Sequence, residues 1–204
     1  MKYFVKTPWF LKKVYPKRIW DIKTDKKEIF LSFDDGPHKI ATPFVLDQLK
    51  RYNAKATFFC IGSNVRAEKN LYQQIISEGH SVGNHTYRHL NGYNTNNYHY
   101  MQDVLHGDTY IHSNLFRPPY GRLTSSQARM LHDRKIVMWD VLSGDFDEKL
   151  SAEKCLEAVL KNTVAGSIVV FHESDKAWEK LRYALPLVLE HFSKQGFSFS
   201  KIPQ

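Results

Sequence analysis

The apolar positions of this chain fall into two alternating patterns. Short β-branched or aromatic runs recur at residues 28–33, 56–61, 81–84, 115–117, 136–141, 167–171 and 197–202. They have the length of buried strands rather than of helices. Between them, residues 42–52, 64–78, 125–133, 152–160 and 176–193 carry apolar side chains at three- and four-residue spacing. That spacing puts the apolar groups on one face of a helix. Strands alternating with helices predict a parallel sheet, because a parallel connection needs a crossover and a helix supplies it. Residues 28–202 leave about 25 residues for each of seven units, short but workable for βα repeats. The pattern therefore favours a compressed α/β barrel over an open sheet. In either arrangement the chemistry lies just after the carboxyl ends of the strands.

Two stretches fall outside this repeat. Residues 1–27 hold Trp9, Phe10, Tyr15 and Trp20 among prolines, and they are expected to pack across the barrel as an extended segment ahead of a domain spanning 28–204. Residues 91–114 are rich in Tyr, Asn and His and read as a polar loop and helix. The alternative there is a sugar-stacking surface made by Tyr93, Tyr98 and Tyr100.

Composition narrows the class. At 204 residues and 42% hydrophobic content, the chain fits one domain with a sizeable core. A disordered or fibrous protein is excluded. The longest stretch free of charged or strongly polar residues, near 164–171, is far short of a bilayer span. Nine Lys and Arg against three Asp and Glu in residues 1–28 account for a net +6 of the chain's +8. A solvated basic face explains this without a nucleic-acid partner. Pro8 and the Lys12–Lys13 pair interrupt the apolar stretch that a secretory signal needs. A cytoplasmic location is therefore expected, with envelope association left open. Cys60 and Cys155 show no ligand spacing and read as buried thiols of a reducing compartment.

Five strand ends carry groups suited to catalysis. Asp34 and Asp35 follow the first run, and the alternatives are a turn with a helix cap or two carboxylates sharing one small site at the bend made by Gly36. His85 and His89 follow the third run, four residues apart as on one face of a helical turn. With one oxygen donor they would make a three-ligand metal site with a position left for water. Arg117-Pro118-Pro119-Tyr120-Gly121 after the fourth run is either a rigid turn or a device for orienting a carboxylate and a backbone N–H. Asp145 and His172, after the fifth and sixth runs, are either a helix cap and a core histidine or a pair in which the Asp charges the His for use as an acid.

Taken in order, Ser32–Pro37, His85–His89, Arg117–Gly121, the Trp139–Phe146 segment and Val170–His172 resemble the motifs of the polysaccharide deacetylases, carbohydrate esterase family 4. The resemblance spans residues 28–202. It implies a distorted (β/α)₇ barrel and a hydrolase that removes N-acetyl groups from N-acetylglucosamine-containing glycans of the chitooligosaccharide or peptidoglycan type. By position it implies a divalent metal held by Asp35, His85 and His89, usually zinc, with cobalt, nickel or manganese as alternates. It makes Asp34 the general base oriented by Arg117, His172 the general acid paired with Asp145, and the Tyr120 N–H an oxyanion donor. Phe146, Val170, Pro118 and Trp139 fall at the acetyl pocket. Two positions depart from the family pattern, with Phe146 standing for a Trp and Val170 for a Leu. The expected partner is an N-acetylated oligo- or polysaccharide bound by a monomer. An O-acetyl ester or a non-sugar amide would use the same groups, and a non-catalytic glycan-binding domain is the alternative from another class.

Overall fold

The protein is described here from a computed structural model covering residues 3–204. Its sheet has eight strand segments: β1 (Glu28–Asp34), β2 (Thr57–Cys60), β3 (Ser81–Asn84), β4 (Leu115–Phe116), β5 (Lys135–Ile136), β6 (Val141–Leu142), β7 (Ile168–His172) and β8 (Ser198–Phe199). They pair in parallel in the order β5-β4-β3-β2-β1-β7-β6, with β8 on β1. The seven runs of the sequence survive with one refinement. The run expected at 136–141 divides into β5 and β6, the two edges of the path. Val137 N–H donates to Phe116 O (2.8 Å), while Asp140 N–H donates to Ile168 O (3.0 Å). One covalent run thus joins β4 at its start to β7 at its end and closes the sheet on itself. β8 enters at the bottom, where Lys55 N–H, just ahead of β2, donates to Phe199 O (3.0 Å). The result is a distorted (β/α)₇ barrel.

Strand alternation sorts the side chains into an inner and an outer set. On β1, Ile29, Leu31 and Phe33 pack outward into the main core under the helices. Phe30 joins Phe59, Leu115, Val137, Ile168 and Ile202 in a separate inner cluster. Ser32 and Asp34 continue the inward series toward the carboxyl end, so β1 places a small hydroxyl and then a carboxylate above an apolar floor. On β7 the same alternation puts Ile168, Val170 and His172 inward. Burial on both faces explains why these strands read as unbroken apolar runs.

The helices follow their predicted stripes. In α8 (Trp178–Lys194), Leu181, Ala184, Leu185, Val188, Leu189 and Phe192 form the buried face. α2 (Ala41–Arg51) and α7 (Ala152–Asn162) pack beside it. The helix expected at 64–78 is two, α3 (Gly62–Ala67) and α4 (Lys69–Ser77), broken by the non-helical backbone of Glu68 (φ −116°, ψ 51°). α5 (Asn97–Asp108) fills the middle of the Tyr- and Asn-rich stretch and buries Tyr100 and Val104, one turn apart. It packs against α6 (Ser125–Met130). No helix among the described residues is long and apolar enough to cross a membrane. Cys60 and Cys155 are buried free thiols.

The leading segment is helical only at α1 (Trp9–Val14) and otherwise bridges the barrel seam, pairing Lys6 with Val141, Ile19 with Val137 and Asp21 with Ser167. Asp140, buried beside that seam, holds it through Lys6 (2.6 Å), Lys12 (2.8 Å) and Ser167 Oγ (2.6 Å). Burial alone would raise this carboxyl, but the two ammonium groups and the hydroxyl keep it below the usual carboxylate range. Asp140→Ala is therefore expected to cost about 2 kcal/mol, less than for a fully buried pair because both lysines retain water. Urea unfolding should show the loss, and limited proteolysis should cut first within residues 3–21.

Candidate active site

Arg117 organises the carboxyl end of the barrel. Its side chain is 0% exposed and runs through the interior. Nη1 donates to Asp34 Oδ1 (2.6 Å) and Ser32 Oγ (2.9 Å), Nη2 to Met138 O (2.9 Å) and Nε to Val137 O (3.3 Å). The guanidinium also lies 4.0 Å over the Phe59 ring. With four of its five N–H donors engaged, the buried charge is compensated and one oxygen of Asp34 is fixed. The other, Oδ2, faces His85 Nε2 at 4.0 Å.

Neighbouring side chains on a strand point to opposite faces, yet Asp35 shares the cleft with Asp34. The bend that allows this is at Asp35 itself, which has φ +76°, and not at Gly36 as the sequence suggested. Gly36 is needed for a different reason: a Cβ there would lie 1.9 Å from Glu173 Oε2.

His85 and His89 also meet by a route the spacing did not reveal. Residues 85–90 form a loop rather than a helical turn, with Thr86 at φ +63° and His89 at φ +59°. Side chains hold the loop in place of helical bonds. Asn84 Oδ1 accepts from Thr86 N–H (2.7 Å), and Asp103 Oδ2 accepts from the N–H groups of Tyr87 (3.1 Å) and Arg88 (2.9 Å). The left-handed residues cost backbone strain, of the kind stored where a site demands it. His85 Nδ1 lies 2.7 Å from Arg117 O, so it carries the proton and leaves the Nε2 lone pair free.

The ligand atoms of Asp35, His85 and His89 all lie within 4.8 Å of one another. Asp35 Oδ1 is 3.2 Å from His89 Nε2 and 3.7 Å from His85 Nε2, buried and without a hydrogen-bond donor. A buried, orphaned carboxylate oxygen between two imidazole nitrogens fits a divalent cation. Protonation states agree with that fit. Burial, with the neighbouring Arg117 and His172 charges, lowers His85 to about 3, and burial beside His85 lowers His89 to about 4. Both rings are neutral near pH 7, as ligands must be.

Across the cleft, Asp145 is fully buried. Its Oδ1 lies 2.7 Å from His172 Nδ1 and its Oδ2 accepts the His172 backbone N–H at 2.7 Å. Burial alone would lower the imidazole, but Asp145, aided by Asp35 and Asp34, raises it to about 9. His172 is therefore an imidazolium at neutral pH, with Nε2 the nitrogen left for other partners. Phe146 stands edge-on to the ring at 5.0 Å.

These groups line a cleft of about 480 Å³ together with Tyr120, Trp139, Leu142, Ser174, Asp175, Lys176 and Tyr3. Tyr120, 54% exposed and at φ +59°, lies over His89 at 4.6 Å. Of the expected pocket residues, Trp139 and Phe146 line the cleft, whereas Pro118 and Val170 do not. Val170 points inward but one layer below His172, and Pro118 is buried in the turn, where its carbonyl accepts from Gly121 N–H (3.0 Å). Tyr93, Tyr98 and Tyr100 lie outside the cleft too, Tyr100 deep in the core under α5 and α6. Sequence reasoning missed Leu142, Tyr3 and Glu173. For Glu173 a signal existed, a carboxylate directly after His172 at the end of an otherwise apolar strand; for Tyr3 nothing local marked it.

The family model for polysaccharide deacetylases matches residues 21–138. A peptidoglycan-N-acetylglucosamine deacetylase of Bacillus cereus is 32% identical over 193 residues, 91% of each chain. This chain belongs to the polysaccharide deacetylase family. A chitooligosaccharide deacetylase of Azorhizobium caulinodans is 27% identical, over 89% of this chain and 96% of its own. Among solved structures, a peptidoglycan N-acetylglucosamine deacetylase with a bound N-hydroxybenzamide superposes with a TM-score of 0.88 at 30% identity, over 97% of this chain and 95% of that chain. A Bacillus anthracis family pseudoenzyme also shares the fold, with a TM-score of 0.78 at 23% identity and coverage of 91% and 67%. The fold of a polysaccharide deacetylase therefore does not by itself decide activity, which rests on the residues.

Glu173 offers a test of the site's electrostatics. Its buried carboxyl is pushed up to about 8 by desolvation, with Asp35 and Asp34 adding to the shift and Thr42 opposing it. A group raised on folding stabilises below its unfolded value and loses that contribution as pH rises to the folded one. Wild-type stability should thus carry a declining term between about pH 4.5 and 8. Glu173→Gln, neutral throughout, should flatten that term in chemical denaturation series run across the interval.

Proposed function

We propose that this protein is a metal-dependent N-deacetylase of N-acetylglucosamine-containing glycans. The observation that carries the reading is the orphaned Asp35 Oδ1 between two neutral imidazoles, in a cleft lined also by Asp34 and the His172 imidazolium. Two histidines and a carboxylate suit zinc and leave coordination open, the pattern of a catalytic rather than a structural site. A divalent cation bound there supplies a lowered water pKa and polarisation of the amide carbonyl.

The chain's own groups supply the remainder. Asp34 Oδ2, free because Arg117 occupies Oδ1, accepts the proton of the attacking water. The Tyr120 backbone N–H, on the left-handed turn after Arg117, donates to the oxyanion that develops on the acetamide. His172 Nε2 gives its proton to the departing sugar nitrogen while Asp145 holds the ring. The products are acetate and a glucosamine unit, and no Ser or Cys nucleophile takes part. A purely glycan-binding role would need neither the Arg117–Asp34 pair nor the Asp145–His172 pair, both of which require buried charge. Of the expected segment 1–27, residues 3–27 are proposed as docked on the catalytic domain, 28–204, in a monomer, and residues 1–2 lie outside the described residues.

Acetate release from N-acetylglucosamine oligomers should be abolished by chelation and restored by zinc. Release that survives exhaustive chelation would overturn the reading. His85→Ala and His89→Ala should lose bound metal and turnover together. Asp34→Asn should keep the metal while kcat falls by about 10²–10⁴; metal analysis beside kinetics separates the two classes. kcat/KM should fall as pH rises through about 9, where His172 loses its proton. Asp145→Asn should move that limb to lower pH, because the charge that holds the proton is gone.

A further inference from the structure

The N-terminal segment reaches the catalytic cleft. Tyr3 is among its lining residues although it lies outside the strand-helix repeat. Its hydroxyl donates to Asp147 Oδ2 (3.1 Å) and its ring packs on Phe146 at 5.2 Å and 54°. Phe146 in turn stands edge-on to His172. The backbone admits this contact: Gly144, at φ +76°, would carry a Cβ only 2.6 Å from the Tyr3 hydroxyl. Behind Tyr3 the segment is fixed. Leu142 N–H donates to Val5 O (2.8 Å), Thr7 N–H donates to Asp140 O (2.8 Å) and Lys6 pairs with Asp140. Tyr3 is thus a held side chain. Asp147 occupies its polar end, and its ring is what remains to meet a ligand.

We propose that Tyr3, backed by Phe146, forms a sugar-binding subsite, an aromatic wall for the pyranose ring adjoining the one being deacetylated. The assignment rests on the deacetylase reading in one respect, that His172 marks where the reacting nitrogen lies. Ring contacts lead from His172 to Phe146 (5.0 Å) and from Phe146 to Tyr3 (5.2 Å), and this remove from His172 suits Tyr3 to a neighbouring sugar rather than to the reacting one. An aromatic face suits the apolar C–H face of a pyranose, and a ring already immobilised loses little entropy on binding. The ligand is therefore an oligomer, not a single N-acetylhexosamine.

The test compares Tyr3→Ala and Tyr3→Phe with wild type, on the monomer and on the tetramer of N-acetylglucosamine. Affinity is measured by calorimetric titration into metal-stripped protein, and KM and kcat by acetate release from the zinc-loaded enzyme, with thermal melts as a folding control. Tyr3→Ala is expected to weaken tetramer binding and raise its KM about tenfold, with kcat within twofold of wild type. Monomer affinity should be unchanged, and Tyr3→Phe should stay within twofold of wild type throughout. Equal tetramer affinity in Tyr3→Ala and wild type would overturn the subsite. So would a loss as large in Tyr3→Phe, which would place the effect in the Asp147 hydrogen bond, or an equal loss on the monomer, which would place it at the reacting sugar. Wild-type protein that binds no tetramer also overturns it. Protein that binds the tetramer through Tyr3 yet releases no acetate would refute the deacetylase reading and leave the subsite standing.

Discussion

A guanidinium with no access to water sits inside this barrel, and the carboxyl end of the sheet is arranged around the need to satisfy it. Arg117 meets Asp34, Ser32, Val137 and Met138, contributed by β1 and by the stretch between β5 and β6. An unpaired charge at that depth would cost several kcal/mol. The pairing is thus a condition on the relative placement of three strands as well as on one carboxylate. The Arg117 carbonyl extends the condition to β3 by fixing the His85 tautomer. One residue thereby couples the oxygen proposed as base to a nitrogen proposed as ligand. The other half of the site has its own anchor, Asp145, which grips both the ring and the backbone of His172.

The two halves hold charge in opposite senses. Near Arg117 the histidines are stripped of protons by burial, and near Asp145 burial is overruled and the histidine keeps its proton. Three imidazoles in one cleft of about 480 Å³ are thus divided between lone pairs and a proton. The division arises because burial prevails at His85, where the Arg117 carbonyl at Nδ1 only opposes it, and at His89, whereas at His172 the Asp145 carboxylate at Nδ1 outweighs burial.

Much of this was legible in the sequence. β1 and β7 are buried on both faces, so their runs were unbroken, and the polar residues that end them stood out. α2, α7 and α8 carried clear stripes. The division of residues 135–142 between two neighbours was not legible, because the run is equally apolar whichever strand it joins. The His85–His89 spacing suggested one face of a helical turn, whereas a loop brings the two rings together: loops held by Asn84 and Asp103 depend on contacts to α5, which spacing does not encode. Val170 was assigned to the acetyl pocket by motif position alone, and it is not among the residues that line the cleft. Tyr3 reaches the cleft only because Asp140 anchors a segment more than a hundred residues away, a relation no local pattern records.

The run from Lys135 to Leu142 has one more consequence. Because it supplies both margins of the sheet, the described residues leave no long row of open N–H and C=O groups on which another chain could template a strand. The backbone left over at the seam is taken up by bridges from Lys6 and Ile19. A parallel sheet this rich in Val, Ile and Phe would be a hazard for edge-to-edge aggregation if it were left open. Here the leading segment acts as a seal, and the protection lasts as long as that segment stays docked.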